Sequence, residues 1–335
     1  PPRGRGKWVK RAGARDRWAR ANDAEMDEAF RPGGDLWPDS IAPLLHDVEI
    51  AIARTEPPGP DSPTVPEIEN LYLDSIRAAR DYIYLESQYF CADSITAAIR
   101  ERLADPDGPE VVVINPMAAQ SVVEDAAMHV SRSRMVRDLR AHDPHGRFRI
   151  FYPVNAAGEP IYVHAKISII DDCLLRVGSS NIDRRSMAFD TECDVALAGR
   201  DPEGRRVIGE LRDRLLAEHL DRDPATVSRA LRDKGGLIPA IEALNRDSGR
   251  GLRDLPLRKE TLLGSLLADT RFFDPRYRRS AQARLGLTSR HLMLGAGLAL
   301  GGALLWRHLR QQHKAQQPPR ELSLIHISEP TRQEA

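Results

Sequence analysis

His164 and Lys166 stand two residues apart in the run Val163-His-Ala-Lys-Ile-Ser-Ile169, and no other feature of the chain constrains its fold as tightly. On a β-strand alternate residues share a face, so Val163, Ala165, Ile167 and Ile169 point one way and His164 and Lys166 the other. The first face is core. The second needs compensation, because a polar group buried without a partner costs roughly 2 to 7 kcal/mol, and a bound anionic group would supply it. A lone His-x-Lys is a weak signal, since a solvated surface histidine gives the same letters. The pattern is longer than that: after four residues comes Asp171, and after six more comes Gly178-Ser179-x-Asn181.

Helix and strand signals alternate around this stretch. Val48, Ile50 and Ile52 alternate with Glu49, Ala51 and Ala53, the pattern of a half-buried strand, which ends at a proline-rich turn between Pro57 and Pro66. Thr64 with Glu67 has capping-box spacing and Pro66 suits a first helical turn, so a helix is predicted from here. Ile68, Leu71, Tyr72, Ile76 and Ala79 give it an apolar side. A strand is predicted over Tyr82–Phe90, a helix over Ser94–Leu103, and an all-apolar strand over Val111–Ile114 that suits a sheet covered on both faces. A helix over about Ser121–Ala141 holds His129, which sits among Val122, Ala126 and Val130 and has no lysine two residues on, so it reads as a core histidine. Strands at Phe148–Tyr152 and Glu192–Leu197 and helices at about Pro202–Leu220 and Pro224–Lys234 complete the pattern. The alternation predicts a layered α/β domain with helices flanking a mixed or largely parallel sheet.

The 335 residues suffice for one large domain or two ordinary ones. Lys+Arg and Asp+Glu are equal at 49 each, so no global charge favours nucleic acid, and basic residues concentrate locally in residues 1–20. Cys91, Cys173 and Cys193 form no C-x-x-C or Cys/His cluster, so neither a disulfide framework nor a zinc site is indicated and a reducing compartment is mildly favoured. Leu292–Trp306 is a run of fifteen uncharged residues between Arg290 and Arg307. As a helix it would span about 23 Å against a hydrocarbon core of about 30 Å, marginal alone but extended by snorkelling arginines. Gly297 and Gly301 give it a G-x-x-x-G face, and it is read as a C-terminal hydrophobic, membrane-inserting helix. The end, from Ser323, resembles the conceptual translation of a sequencing adapter and is set aside.

The spacing from His164 to Asn181 resembles the HKD signature of the phospholipase D superfamily at every position. Arg17–Ala21, Leu36–Pro57, Glu86-Ser87-Gln88-Tyr89-Phe90 and Ala217–Leu220 are similar to segments of bacterial phospholipase D-like, cardiolipin synthase-like proteins, so the likeness covers about residues 17–235. It implies an α-β-α layered domain whose catalytic residues are His164, Lys166, Asp171 and Asn181. Ser179, Gly178, Glu86, Gln88 and Glu192 are implied as substrate-binding, with no metal and no cofactor. In such enzymes two copies of the motif face each other: one histidine attacks phosphorus and the other moves the proton. Lysines and asparagines hold the phosphoryl oxygens. Asp171 falls on the opposite strand parity from His164 and suits an orienting or structural carboxylate better than a base.

This chain has one such motif, since none of its other histidines has a lysine two residues on. The resemblance makes it the second, with His164 as acid and base, and implies a missing N-terminal repeat or a homodimer partner. The expected divisions are 1–46, the end of a preceding repeat; 47–245, the catalytic repeat; 246–290, a basic connector; 291–307, a transmembrane helix; and 323–335, the adapter. The expected substrate is a phospholipid at the cell membrane, with the catalytic domain in the cytoplasm; nucleic acid is not favoured as a partner. A phospholipase D-like nuclease and an inactive membrane-anchored binding module are the alternatives.

Overall fold

The chain is described from a computed structural model, which places residues 38, 40–58, 63–118 and 122–257, with the side chains of 122–128 left aside. The predicted hydrophobic helix, the basic N-terminal run and the adapter-like end lie outside the described residues. In chain order the elements are β1 (Ile50–Glu56), β2 (Val65–Pro66), α1 (Glu67–Ala78), β3 (Tyr82–Ser87), β4 (Phe90–Cys91), α2 (Asp93–Ala104), β5 (Glu110–Ile114) and α3 (Val122–Ala141). They continue with β6 (Phe148–Val154), β7 (Lys166–Ile170), β8 (Leu174–Gly178), β9 (Ile182–Asp183), α4 (Arg184–Ala188), β10 (Glu192–Ala198), α5 (Pro202–Leu220), α6 (Pro224–Lys234), α7 (Leu237–Leu244) and β11 (Gly251–Asp254).

Nine strands form one sheet in the order β11-β6-β5-β3-β7-β8-β10-β1-β2. β3, β5 and β6 are parallel neighbours, and the remaining ladders of this sheet are antiparallel. Of the two sheet types expected, mixed or largely parallel, the sheet is mixed. Its layers follow from residue alternation. Ile83, Leu85, Val111 and Val113 face a core shared with Ile68, Tyr72 and Ile76 of α1, Ile95 and Ile99 of α2, and Val136 and Leu139 of α3. Tyr82, Tyr84, Val112 and Ile114 face a second core with Ile208 and Leu216 of α5, Val227 of α6, and Ile238 and Ile241 of α7. Val111–Ile114 carries no polar face because helices cover both sides, and all four residues are fully buried.

The helix ends follow local chemistry. Asp201 and Asp223 cap α5 and α6 by accepting from Gly204 N–H at 2.7 Å and Ala225 N–H at 2.8 Å, each with proline as the first helical residue. α6 stops at Gly235, whose φ of 70° is the left-handed conformation that glycine adopts without strain. The predicted capping box at Thr64 and Glu67 does not form. α1 has Pro66 at its N-cap with no side-chain cap, because the Glu67 carboxylate accepts instead from the backbone and guanidinium of Arg54 across the β1 edge.

Three sequence boundaries move. The strand predicted over Tyr82–Phe90 breaks after Ser87, and Phe90–Cys91 pairs separately with β9. β7 starts at Lys166, so His164 lies just before the strand and not within it. The segment from 246 expected as a connector contains β11, which pairs with β6 at the sheet edge.

Candidate active site

The N-terminal end of antiparallel β7 meets the C-terminal end of β3, so Lys166 sits opposite Ser87. Val163 is buried in the second core, and Ala165, Ile167 and Ile169 pack with it, as their alternation predicts. His164, between Val163 and Ala165, is therefore turned out and exposed. Its ring stacks on Tyr162, with centroids 6.4 Å apart and planes 23° apart. The Lys166 ammonium donates to the His164 carbonyl oxygen at 3.0 Å and to Gln88 Oε1 at 3.2 Å. Gln88 is placed there by the bend that ends β3, and its amide donates to Tyr162 Oη at 2.8 Å and Tyr89 Oη at 3.0 Å. His164, Lys166, Gln88 and Tyr162 thus form one cluster.

Burial lowers the Lys166 pKa, against the pull of the Glu192 and Asp183 carboxylates. Glu192 shares the Lys166 side of the sheet: the β7-β8-β10 register puts Lys166, Ser168, Arg176, Gly178, Asp194 and Glu192 on one face. Burial raises the Glu192 pKa and pushes Asp183 up to about 6. Glu192 accepts from Ser179 Oγ at 2.5 Å and from Ser186 Oγ at 2.7 Å, and Ser186 Oγ in turn accepts from the Asn181 backbone N–H at 3.1 Å. The Asn181 side-chain oxygen is buried with no hydrogen-bond partner among the described residues. The unpartnered atom is an acceptor, so the fold leaves one side of the Asn181 amide unsatisfied on the turn after β8.

Four expected site residues are placed differently. Asp171 was expected in the catalytic set, but it lies at the other end of β7, five residues and about 16 Å along an extended chain from Lys166. Its carboxylate accepts from the backbone N–H groups of Arg80 at 2.7 Å, Asp81 at 2.9 Å and Tyr82 at 2.7 Å. It anchors the α1–β3 turn, and its φ of 51° is a left-handed conformation that Asp tolerates better than most residues. Glu86, expected near the substrate, pairs with Ile167 and faces the second core, where it accepts from Tyr84 Oη at 2.5 Å and meets His219 Nε2 at 3.1 Å. Pleat alternation separates it from Lys166.

Ser179, expected as a donor to phosphate, has its hydroxyl committed to Glu192 and to the Cys193 N–H at 3.0 Å. Gly178 was expected to let the backbone approach a ligand; its requirement is Asp194, whose Oδ1 lies 2.0 Å from where a Cβ would stand. Glu192 stands behind the Gly178–Asn181 turn, holding it through Ser179 and Ser186. His129 is buried on α3 with Nδ1 2.6 Å from Arg132 Nη2, in keeping with its reading as a core residue.

Sequence reasoning missed Tyr162, Ser186 and Asp194. Tyr162 precedes His164 by two residues, so strand parity could have found it. Ser186 and Asp194 are joined to the turn only by folding. Among the described residues no group of three or more His, Cys, Asp or Glu side chains could hold a metal ion.

A lysine, a histidine and an amide gathered at the end of a layered sheet make a side-chain site for an anionic group. Residues 72–214 match the family model described as cardiolipin synthase, PLD-like domain, and with the His164–Asn181 spacing this segment belongs to the phospholipase D superfamily. The chain is 27% identical over 207 residues to phospholipase D alpha 2 of Brassica oleracea var. capitata, covering 43% of this chain and 26% of that protein. It is 26% identical over 259 residues to phospholipase D alpha 1 of the same plant, covering 55% and 31%. It therefore spans about a quarter to a third of the length of these relatives. Among solved structures it is similar to phosphatidylserine synthase of Haemophilus influenzae Rd KW20, at 13% identity and a TM-score of 0.40 over 58% of this chain and 47% of that one. It is also similar to Nuc of Salmonella typhimurium, at 15% identity and a TM-score of 0.34 over 50% and 93%.

Proposed function

We propose that this chain carries one half of a phosphodiesterase or phosphatidyltransferase site of the phospholipase D type, acting on phospholipids through a phosphohistidine. The observation that carries the proposal is the joint placement of an exposed His164 and a half-buried Lys166 at one strand end, with the Lys166 ammonium 3.2 Å from Gln88.

A phosphodiester needs a nucleophile, a proton donor for a poor alkoxide leaving group, and positive charge on its non-bridging oxygens. Lys166 supplies the charge in a site dry enough to lower its pKa, where the interaction is stronger than in water. The Asn181 amide adds a fixed dipole. A histidine ring nitrogen contributed by a second His-x-Lys motif attacks phosphorus, the P–O bond to the leaving group breaks, and His164 delivers a proton to the departing oxygen. Water or an alcohol then attacks the phosphohistidine, His164 takes its proton, and the P–N bond breaks. The second motif comes from a preceding repeat or from a second copy of this chain. The match of residues 72–214 to a cardiolipin synthase-like domain supports phosphatidyl transfer as one outcome of that step.

No helix among the described residues is long and apolar enough to cross a membrane, and Leu292–Trp306 lies outside them. A membrane setting is thus proposed on the apolar run of the sequence alone. The test is headgroup release from phosphatidylcholine or phosphatidylglycerol vesicles by the protein carrying both motifs. His164→Ala is expected to lower the rate by about a hundredfold to ten-thousandfold while the protein stays folded. Unchanged turnover would overturn the assignment, and plasmid cleavage outpacing lipid turnover would move the substrate class to nucleic acid.

A further inference from the structure

Beneath the Gly178–Asn181 turn lies a buried ion pair. Arg176 is 1% exposed and Asp194 0%, and Arg176 Nη1 donates to Asp194 Oδ2. The same nitrogen donates to Ser180 Oγ at 3.0 Å. The Arg176 guanidinium lies over the Tyr72 ring of α1, 4.3 Å from its centroid, and its Nε and Nη2 have no hydrogen-bond partner among the described residues. Asp194 Oδ1 accepts from the Ser180 backbone N–H at 3.1 Å, and Oδ2 accepts from Ser180 Oγ at 2.5 Å. The turn is therefore wrapped round one carboxylate, which also fills the space a side chain at Gly178 would need.

Such a pair is a poor source of stability. Desolvating two charges costs about as much as their attraction returns, and apolar residues of the same volume often hold a fold as well. What an apolar pair cannot do is direct a turn: Asp194 fixes both the backbone and the side chain of Ser180, the residue before Asn181. On the other side, the Asn181 N–H donates to Ser186 Oγ, which donates to Glu192. Asn181 is thus clamped at its own backbone N–H and at its neighbour's, and its side-chain amide nitrogen is the donor from which a phosphoryl oxygen could accept.

We propose that Asp194 and Arg176 are positioning residues that aim the Asn181 side chain at the reacting phosphoryl group. This rests on the phosphoryl-transfer function proposed above. A group that must lie within about half an ångström of its productive place depends on the shell that holds it, so loosening the turn lowers the rate of the chemical step more than it lowers binding.

The test is a double-mutant cycle on phosphodiester turnover in the protein carrying both motifs. Ser180→Ala removes the side-chain link to Asp194 and Arg176 but keeps the backbone one; Asp194→Asn keeps the shape and removes the charge. Each is expected to lower kcat about tenfold or more with KM changed less than twofold. In an Asn181→Ala background Ser180→Ala is expected to cost less than twofold more, because the group it positions is gone. Should Asp194→Asn fail to fold, the Ser180→Ala cycle decides alone. Equal losses in both backgrounds, or unchanged kcat in a folded Ser180→Ala variant, would overturn the proposal while Lys166→Ala still abolished turnover. If Lys166→Ala and Asn181→Ala both left turnover intact, the phosphoryl-transfer function would fail and the positioning role with it.

Discussion

Two residues show how closely the site is tied to its surroundings. At Gly178 an added methyl would stand 2.0 Å from Asp194 Oδ1, and Asp194 cannot retreat because Ser180 and Arg176 hold it. Gly178→Ala is expected to destabilise the protein by about 2 to 4 kcal/mol, the cost of forced overpacking beside a buried charge, measured as a shift of the urea midpoint. Asp183 caps α4 by accepting from Ser186 N–H at 2.7 Å, and burial pushes its pKa up to about 6. A carboxyl whose folded pKa lies above its unfolded value of about 3.9 binds more protons folded than unfolded between those limits, so its contribution makes stability fall as pH rises through that window. The difference in unfolding free energy between wild type and Asp183→Asn, which keeps a capping oxygen, is therefore expected to change by about 1 to 3 kcal/mol between pH 4 and 7. The change disfavours the wild type at the higher pH. A flat difference across that range would show that Asp183 ionises as freely in the fold as in the unfolded chain.

At the scale of the element, β7 has two jobs at its two ends. Lys166 meets the β3 bend at one end, and Asp171 closes the α1–β3 turn with three backbone amides at the other. Hydrogen bonds to a charged acceptor contribute about 1.5 to 3 kcal/mol each when buried and less near the surface. Asp171→Ala is thus expected to cost about 2 to 4 kcal/mol in thermal or urea unfolding while leaving the turnover of the folded fraction close to wild type. This division was legible only in part from the motif's letters. The sequence shows that Asp171 differs in parity from His164, but its partners lie about 90 residues earlier in the chain. The all-apolar Val111–Ile114 was legible because burial on both faces leaves its mark on one short run. α5 and α6 were legible because their Asp-Pro starts are local signals. β11 was not, being a short edge strand in a basic stretch, and the Arg176–Asp194 pair was not, since two charges on neighbouring strands become a pair only through register.

For the molecule as a whole, helices on both faces of a mixed sheet bury its middle and leave the strand ends to the chemistry. The His164 loop, the β3 bend and the turn after β8 are the places where the layered cores stop. His164, Lys166 and Gln88 are gathered there, Asn181 lies on the turn after β8, and Glu192 holds that turn from the start of β10. The core side of this stretch was legible, since Val163, Ala165, Ile167 and Ile169 alternate into the second core, whereas the strand itself begins only at Lys166, after His164. Glu86 was misplaced for the converse reason: the bend after Ser87 turns Gln88 towards Lys166 and leaves Glu86 with Tyr84 and His219 behind the sheet. The central claim is that the motif divides into a catalytic end and an anchoring end. Steady-state turnover of a soluble phosphodiester, normalised to the folded fraction, by Lys166→Ala and Asp171→Ala variants of the protein carrying both motifs tests it most directly. The account predicts that Lys166→Ala loses at least about a hundredfold in kcat at an unchanged unfolding midpoint, and that Asp171→Ala loses stability with kcat within about threefold of wild type. An active Lys166→Ala, or a fully stable Asp171→Ala without activity, would contradict it.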